Sequence, residues 1–266
     1  MPVVLSWNVA GRVRSVPEQA AALATRRADV VALQEVRATA LEAWQEALSA
    51  LGLVHQHHSP VPDVRAPERR LGVLLAARRP LEPMAGPPLP WPERHAAAIT
   101  ELGELHVLHA PISAKAGRVK VLTLEAMAAW LAPPRDHPAV VVGDFNTPAY
   151  ESRDGEVRSF ARTRTGRLRA GFDERHDRAE LGLVTGLATA GYVDAFRAVH
   201  GYLKRDRSWM YAHGKMGYRL DHVLARGLEV VACEYEHAWR EARLSDHSGV
   251  WADLRVPRLG ADANTS

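Results

Sequence analysis

The chain of 266 residues contains one cysteine, Cys233. A single thiol excludes an intrachain disulfide and a multi-thiolate metal site, so any bound metal must be held by oxygen or imidazole. No apolar run approaches the ~20 residues needed to span a bilayer. The opening segment, Met1 to Arg14, has no basic leader, long apolar stretch or small-residue cleavage site. The expectation is a cytoplasmic protein without a membrane anchor. Lysine is scarce, and arginine carries nearly all of the positive charge. That bias fits phosphate recognition, because guanidinium pairs bidentately with phosphate, and it equally fits a compositional bias of the genome. The net charge of +3 is compatible with a polyanionic partner without requiring one. Hydrophobic residues at 47% and charged residues at 24% are globular proportions, which exclude a disordered chain or a fibre.

Short apolar stretches alternate with amphipathic ones throughout. Strands are expected at Val3–Val9, Asp29–Gln34, Leu71–Ala76, Ala96–Leu102, Leu105–Ala110, Ala139–Val142, Leu220–Ala225, Leu228–Tyr235 and Ser248–Leu254. Pro17 opens a helix through Arg27, as proline at a first helical position often does. Ala38–Leu51 and Arg118–Leu131 also read as helices, the last with Val121, Leu124, Met127 and Leu131 on one face. The order is mixed, with adjacent strands close enough for antiparallel hairpins. An α/β protein in which helices cover stacked sheets follows. Neither a repeat nor a dividing linker is visible, so residues 1–256 read as one domain, with a flexible tail over 257–266. Pro80–Pro92 reads as an extended surface loop that could rim a cleft with Trp91. The polar stretch 151–178 reads as an insertion without regular structure. It carries Arg158, Arg162, Arg164, Arg167 and Arg169 in close succession. It could be a solvated loop or a phosphate-gripping arm.

Acids, amides and histidines recur at strand ends. Asn8 and Glu35 follow two apolar strands, His109 ends a third, and Asp144 and Asn146 follow a fourth. Asp221 and His222 lie in a fifth, and Asp246 and His247 precede a sixth. Any one of these has a plain structural explanation, since Asn and Asp commonly cap turns. Together, on one rim of stacked sheets, Glu35, Asp144, Asp221 and Asp246 would repel one another and need neutralising by protons or a cation. Oxygen ligation favours Mg²⁺, Mn²⁺ or Ca²⁺. Histidines and an amide beside such an ion make a site for phosphate esters.

These residues sit in six ordered motifs: Ser-Trp-Asn-Val at 6–9, Leu-Gln-Glu-Val at 33–36, Leu-His-Ala-Pro at 108–111, Gly-Asp-Phe-Asn-Thr-Pro at 143–148, Gly-Tyr-Arg-Leu-Asp-His-Val at 217–223 and Ser-Asp-His-Ser at 245–248. In this the chain resembles the endonuclease/exonuclease/phosphatase superfamily, which includes exonuclease III-like repair nucleases, deoxyribonuclease I and sphingomyelinases. The resemblance implies a four-layer α/β/β/α sandwich with two mixed, mostly antiparallel sheets and an active site at their top. It also implies roles. Glu35 would be the main metal ligand with Asn8 beside it, and Asp246 would lie on the metal side. Asp221 would orient His247, and Asp144 would position or deprotonate water. Asn146 would donate to the scissile phosphate. His109 would stabilise developing charge or protonate the leaving group. The implied cofactor is Mg²⁺ or Mn²⁺, with Ca²⁺ possible, and the implied partner is nucleic acid, DNA foremost.

His109 stands where exonuclease III-like enzymes carry Tyr, as in the deoxyribonuclease I and sphingomyelinase branches. Gly-Tyr-Val-Asp-Ala-Phe-Arg at 191–197 points instead to the repair nucleases, as does Arg-Ser-Trp-Met-Tyr at 207–211. Trp209 and Tyr211 could face a sugar or base. Arg158, Arg162, Arg164, Arg167 and Arg219 are the expected substrate-binding cations. His222 is expected to be a strand neighbour of Asp221 and not a catalyst. The alternative function is hydrolysis of a small-molecule or lipid phosphate ester at the same site.

Overall fold

A computed structural model of the protein describes residues 2–112, 118–211 and 216–257. One sheet holds, in spatial order, β15 (Glu229–Glu236), β16 (Gly249–Arg255), β1 (Val3–Asn8), β2 (Val30–Arg37), β4 (Leu71–Ala77) and β3 (His55–His58). The other holds β11 (Tyr192–Asp194), β14 (Asp221–Arg226), β8 (Ala139–Asp144), β7 (Gly103–His109), β6 (His95–Thr100) and β5 (Glu82–Pro83). Within these two sheets only β1–β2 and β7–β8 are parallel; the remaining pairs are antiparallel. Two small hairpins, β9 (Tyr150–Glu151) with β10 (Val157–Arg158) and β12 (Trp209–Tyr211) with β13 (Met216–Tyr218), stand outside the sheets.

The layers follow from side-chain alternation along nearly continuous apolar strands, which are buried on both faces. Val4, Val30, Ala32 and Leu75 of the first sheet meet Val107, Val140, Val142 and Val223 of the second in a core between the sheets. Their neighbours in sequence point the other way. Leu5, Trp7, Leu33 and Leu74 pack under α1 (Val16–Ala24) and α2 (Leu41–Ala50) through Val16, Leu23, Trp44 and Leu48. Val141 and Leu224 pack under α3 (Val119–Leu131) and α4 (Glu174–Val184) through Val121, Leu124, Met127, Leu131 and Leu183. The result is the expected α/β/β/α sandwich. Two short helices, α5 (Ala195–His200) and α6 (His237–Glu241), flank it. Among the described residues no helix is long and apolar enough to cross a membrane.

The stretch expected to lack regular structure is in fact organised. It contains the β9–β10 hairpin, a bridge between Arg162 and Leu168, and the start of α4, whose Asp173 carboxylate caps the helix by accepting from His176 N at 2.9 Å. The helix escapes a hydropathy reading because its buried face includes Asp177 and Glu180. The tail expected over 257–266 lies, after its first residue, outside the described residues.

Candidate active site

Register brings the motif residues to one end of the sandwich. Asp144 closes β8 opposite both His109, which closes the parallel β7, and Asp221, which opens the antiparallel β14. Asn8 closes β1 on the facing sheet. Glu35 sits at an irregularity in β2, where pairing with β4 skips from Gln34 to Val36, and its φ is +59°. A bulge re-aims a side chain that an unbroken strand would send elsewhere, and a left-handed non-glycine residue in such a place is a mark of functional constraint. Gly143 has φ +136°, and a Cβ there would lie 1.9 Å from Leu108 O, so only glycine lets β7 and β8 meet just before Asp144.

The polar groups form one connected network. Asn8 Nδ2 donates to Glu35 Oε1 at 3.2 Å and to Asp144 Oδ2 at 3.1 Å. His247 pairs through Nδ1 with Asp221 Oδ2 at 2.8 Å, while its Nε2 lies 3.7 Å from Asp144 Oδ2. His109 Nε2 is 3.4 Å from Glu35 Oε1 and 3.8 Å from Asp144 Oδ2. The Asn146 backbone N–H donates to Asp144 Oδ1 at 2.9 Å, and its side-chain amide donates to Ala110 O at 2.7 Å. Ser245 Oγ donates to Asn8 O and accepts from His247 N, tying two motifs together at 2.6 and 3.1 Å.

The electrostatics are those of a crowded anionic site. Burial, with Asp221 and Glu35 close by, pushes the Asp144 carboxyl up to about 7 against the opposing pull of His247. Burial disfavours the His247 cation, but Asp221 and Asp144 outweigh it and push this histidine up to about 10. Burial, reinforced by Arg94 and His247, holds His109 well below the usual histidine range, so it is neutral. Asp144, Asp221 and His247 each offer a ligand atom, all within 4.8 Å of one another. The donor chemistry fits a hard divalent cation, and Asp221 Oδ1 is buried with no hydrogen-bond partner.

Of the residues expected at the site, Asn8, Glu35, His109, Asp144, Asn146, Asp221 and His247 are brought together. Asp246 is not. Its neighbour His247 turns inward, and Asp246 is exposed, accepting from Trp209 Nε1 at 3.0 Å. Trp209 lies beside the site, its ring centroid 6.5 Å from that of His247, and stacks on Tyr211 and Tyr218. Arg219 is corrected from a substrate contact to an internal counterion: it is 3% exposed and bonded to Glu151 at 2.7 Å and Asp194 at 2.8 Å. In the basic stretch, Arg158 pairs with Glu156 and Arg162 with Glu174 and Asp177, whereas Arg164 and Arg167 are exposed. His222 is indeed a strand neighbour, held between Asp194 and Thr147 O. Arg94 was not legible in the sequence. It lies buried against His109 and beneath Trp91, at the end of the proline-rich loop. No motif or period marks it.

A buried carboxylate–histidine cluster at the rim of a two-sheet sandwich is the arrangement of phosphoester hydrolases. The chain belongs to the Endonuclease/Exonuclease/phosphatase family, whose model matches residues 5–247. It is similar in fold to an AP endonuclease from Archaeoglobus fulgidus, with TM-score 0.74 and 20% identity over 96% of this chain and 99% of that one. It is also similar to a 3'-5' exonuclease from Neisseria meningitidis, with TM-score 0.68 and 18% identity over 95% and 99%. A 3' phosphatase from Neisseria bound to product DNA hairpin gives TM-score 0.66 and 20% identity over 96% and 99%. No curated protein sequence matches the chain.

Proposed function

We propose that the protein is a divalent-metal-dependent phosphodiesterase that cleaves DNA. The observation that carries this is the meeting of Asn8, Glu35, His109, Asp144, Asn146, Asp221 and His247 in one hydrogen-bonded cluster. The similarity to an AP endonuclease, a 3'-5' exonuclease and a 3' phosphatase bound to DNA supports nucleic acid as the substrate.

Glu35, Asp144 and Asp221, with Asn8 beside them, would hold Mg²⁺ or Mn²⁺, and such an ion supplies Lewis-acid polarisation of a phosphoryl oxygen. The protein's own groups do the rest. Asp144 aligns the attacking water and accepts its proton as the water oxygen bonds to phosphorus, while the P–O bond to the departing nucleotide oxygen breaks and that oxygen takes a proton from solvent. Asp221 fixes the His247 ring through Nδ1, leaving the charged Nε2 edge toward the phosphoryl oxygens. Asn146 holds one amide hydrogen on Ala110 O, and its long 3.4 Å contact to Asp144 Oδ2 would give way to a bond with the scissile phosphate. His109, neutral, contributes a hydrogen bond to the charge that develops on the phosphate. Fixed donors in a water-poor cleft are usually a large catalytic term. Arg164 and Arg167, and Arg158 and Arg162 if released from their carboxylates, would meet flanking phosphates, which raise affinity without specifying sequence.

Incubation with plasmid, single-stranded and abasic-site DNA, with Mg²⁺ or Mn²⁺ and with EDTA, tests the reading. Cleavage that EDTA abolishes is expected; no cleavage of any of the three with metal removes it. A second reading, hydrolysis of a small phosphate ester, is favoured by His109, the residue type that the deoxyribonuclease I and sphingomyelinase branches carry where exonuclease III-like enzymes have Tyr. The Arg164→Gln/Arg167→Gln variant separates the two: a nuclease loses affinity for polymer, and a small-ester enzyme is unaffected.

A further inference from the structure

The β12–β13 hairpin lies beside the candidate active site through Trp209 and borders a cavity through Met210. Trp209 faces the catalytic side, where it pairs with the His247 segment. Met210, next along the strand, faces the opposite way and lines a cavity of about 460 Å³, which is large enough for a nucleotide-sized ligand. Tyr150, with Arg158 and Arg205 over its ring, and Tyr218, stacked on Trp209, also touch this cavity, and five arginines border it.

The charges in the cavity do not balance. Arg197 and Arg219 are matched by Glu151 and Asp194, with every pair at 2.8 Å or less. Asp206 bonds His237 at 2.9 Å, and its one negative charge still leaves the arginines in excess. Arg205, Arg207 and Arg240 remain, and among the described residues none of them pairs with a carboxylate. Arg240 lies with Nη2 at 3.4 Å from His237 Nδ1, and its Nε is buried without a hydrogen-bond partner. Arg205 lies over the Tyr150 ring at 5.8 Å. Three guanidinium groups gathered at a concave surface, one of them with a buried Nε that among the described residues has no partner, call for an anion with several acceptor oxygens, and the fork geometry of arginine matches phosphate.

We infer that this cleft is a second phosphate subsite, which takes a phosphodiester of the polynucleotide strand on the far side of the hairpin from the scissile bond. The inference rests on the nuclease reading. In it, Arg205, Arg207 and Arg240 grip the backbone, with Met210 lining the cavity beside them. The subsite raises affinity for polymer and leaves the chemistry at His247 unchanged.

Binding of a labelled single-stranded DNA 12-mer by fluorescence anisotropy, in EDTA so that nothing is cleaved, tests this. The Arg205→Gln/Arg207→Gln/Arg240→Gln variant should bind at least tenfold more weakly than the wild type. The slope of log K against log salt should shrink by about 0.7, the contribution of one phosphate contact on a single strand. The Arg205→Gln/Arg207→Gln variant, changed only at exposed positions, should show part of both effects. Turnover of bis(4-nitrophenyl) phosphate with Mg²⁺ should stay within twofold for both variants. Unchanged affinity and salt slope in variants of a wild type that does cleave DNA would overturn the subsite and leave the nuclease reading standing. A wild type that neither binds nor cleaves DNA would overturn both.

Discussion

Individual side chains set both the chemistry and its sensitivity to pH. Asp221 is fully buried, and its one hydrogen-bonded oxygen faces His247. Replacing His247 with Ala therefore removes the imidazole proposed to act on the phosphate and also strands a buried carboxylate, which costs on the order of 3–5 kcal/mol. His247→Asn keeps an amide donor near Asp221. It should lose about 10²–10⁴-fold in kcat while unfolding in urea at a higher midpoint than His247→Ala. Equal midpoints would show that Asp221 does not depend on this pairing. A second histidine, His95, is not part of the cluster. It is buried against His106, with His57 nearby, and burial first and those two neighbours next bring it down to about 3. The unfolded chain takes up this proton near pH 6.5 and the folded one does not, so stability is full above that value and falls as pH falls below it. Between pH 7 and 5 the loss is about 2 kcal/mol. Urea denaturation at pH 5, 6 and 7 checks this: His95→Asn should flatten the slope, and an unchanged slope would assign it elsewhere.

At the level of elements, the segment from Asp144 to Pro148 is held by three side chains, from α3, α4 and β14. Lys120 of α3 donates to Asn146 O and to Glu180 Oε1, both at 2.7 Å, and Glu180 of α4 also accepts from Phe160 N and Thr147 Oγ1. His222 of β14 meets Thr147 O at 2.9 Å and Asp194 at 3.1 Å, with its ring stacked on Phe145. Asn146 itself has φ +51°, so its position depends on these supports. Lys120→Met leaves Glu180 buried without its cation and should cost about 3–5 kcal/mol. Lys120→Met/Glu180→Gln should recover much of that stability but not the rate, because the Asn146 carbonyl remains unheld. Thermal melts together with kcat decide it; a double variant that regains full activity would reduce the pair to a purely structural role. The contrast with the sequence is instructive here. Val121, Leu124, Met127 and Leu131 announce α3 by period, whereas α4 hides because Asp177 and Glu180 occupy its inward face. Glu35 is legible as a strand-end carboxylate, but the bulge that aims it is not, since one extra residue in a strand leaves no compositional trace.

Across the whole molecule, two sheets place residues from 8 to 247 at one rim, so the ordered motifs reveal the cluster before any coordinates do. What they conceal is direction. Asp246 and Arg219 lie in the right motifs but point to Trp209 and to Glu151 and Asp194, and an alternation rule cannot say which face of an irregular segment meets the cleft. Arg94 reaches His109 from a chain segment without a motif, through tertiary packing alone. An ion bound among Glu35, Asp144 and Asp221 would also stabilise the fold. At a hundred times its Kd it contributes about 2.7 kcal/mol, which in a chain of this size raises Tm by roughly 5–10 °C. EDTA should reverse that rise, and Glu35→Gln should greatly diminish it. The most direct test of the account is the initial rate of DNA cleavage as Mg²⁺ is titrated into metal-free protein, for the wild type and His247→Asn side by side. The account predicts a saturable rise from no detectable cleavage in the wild type and a rate lower by about 10²–10⁴-fold at saturation in the variant. Cleavage that persists in EDTA, or a variant as fast as the wild type, would contradict it.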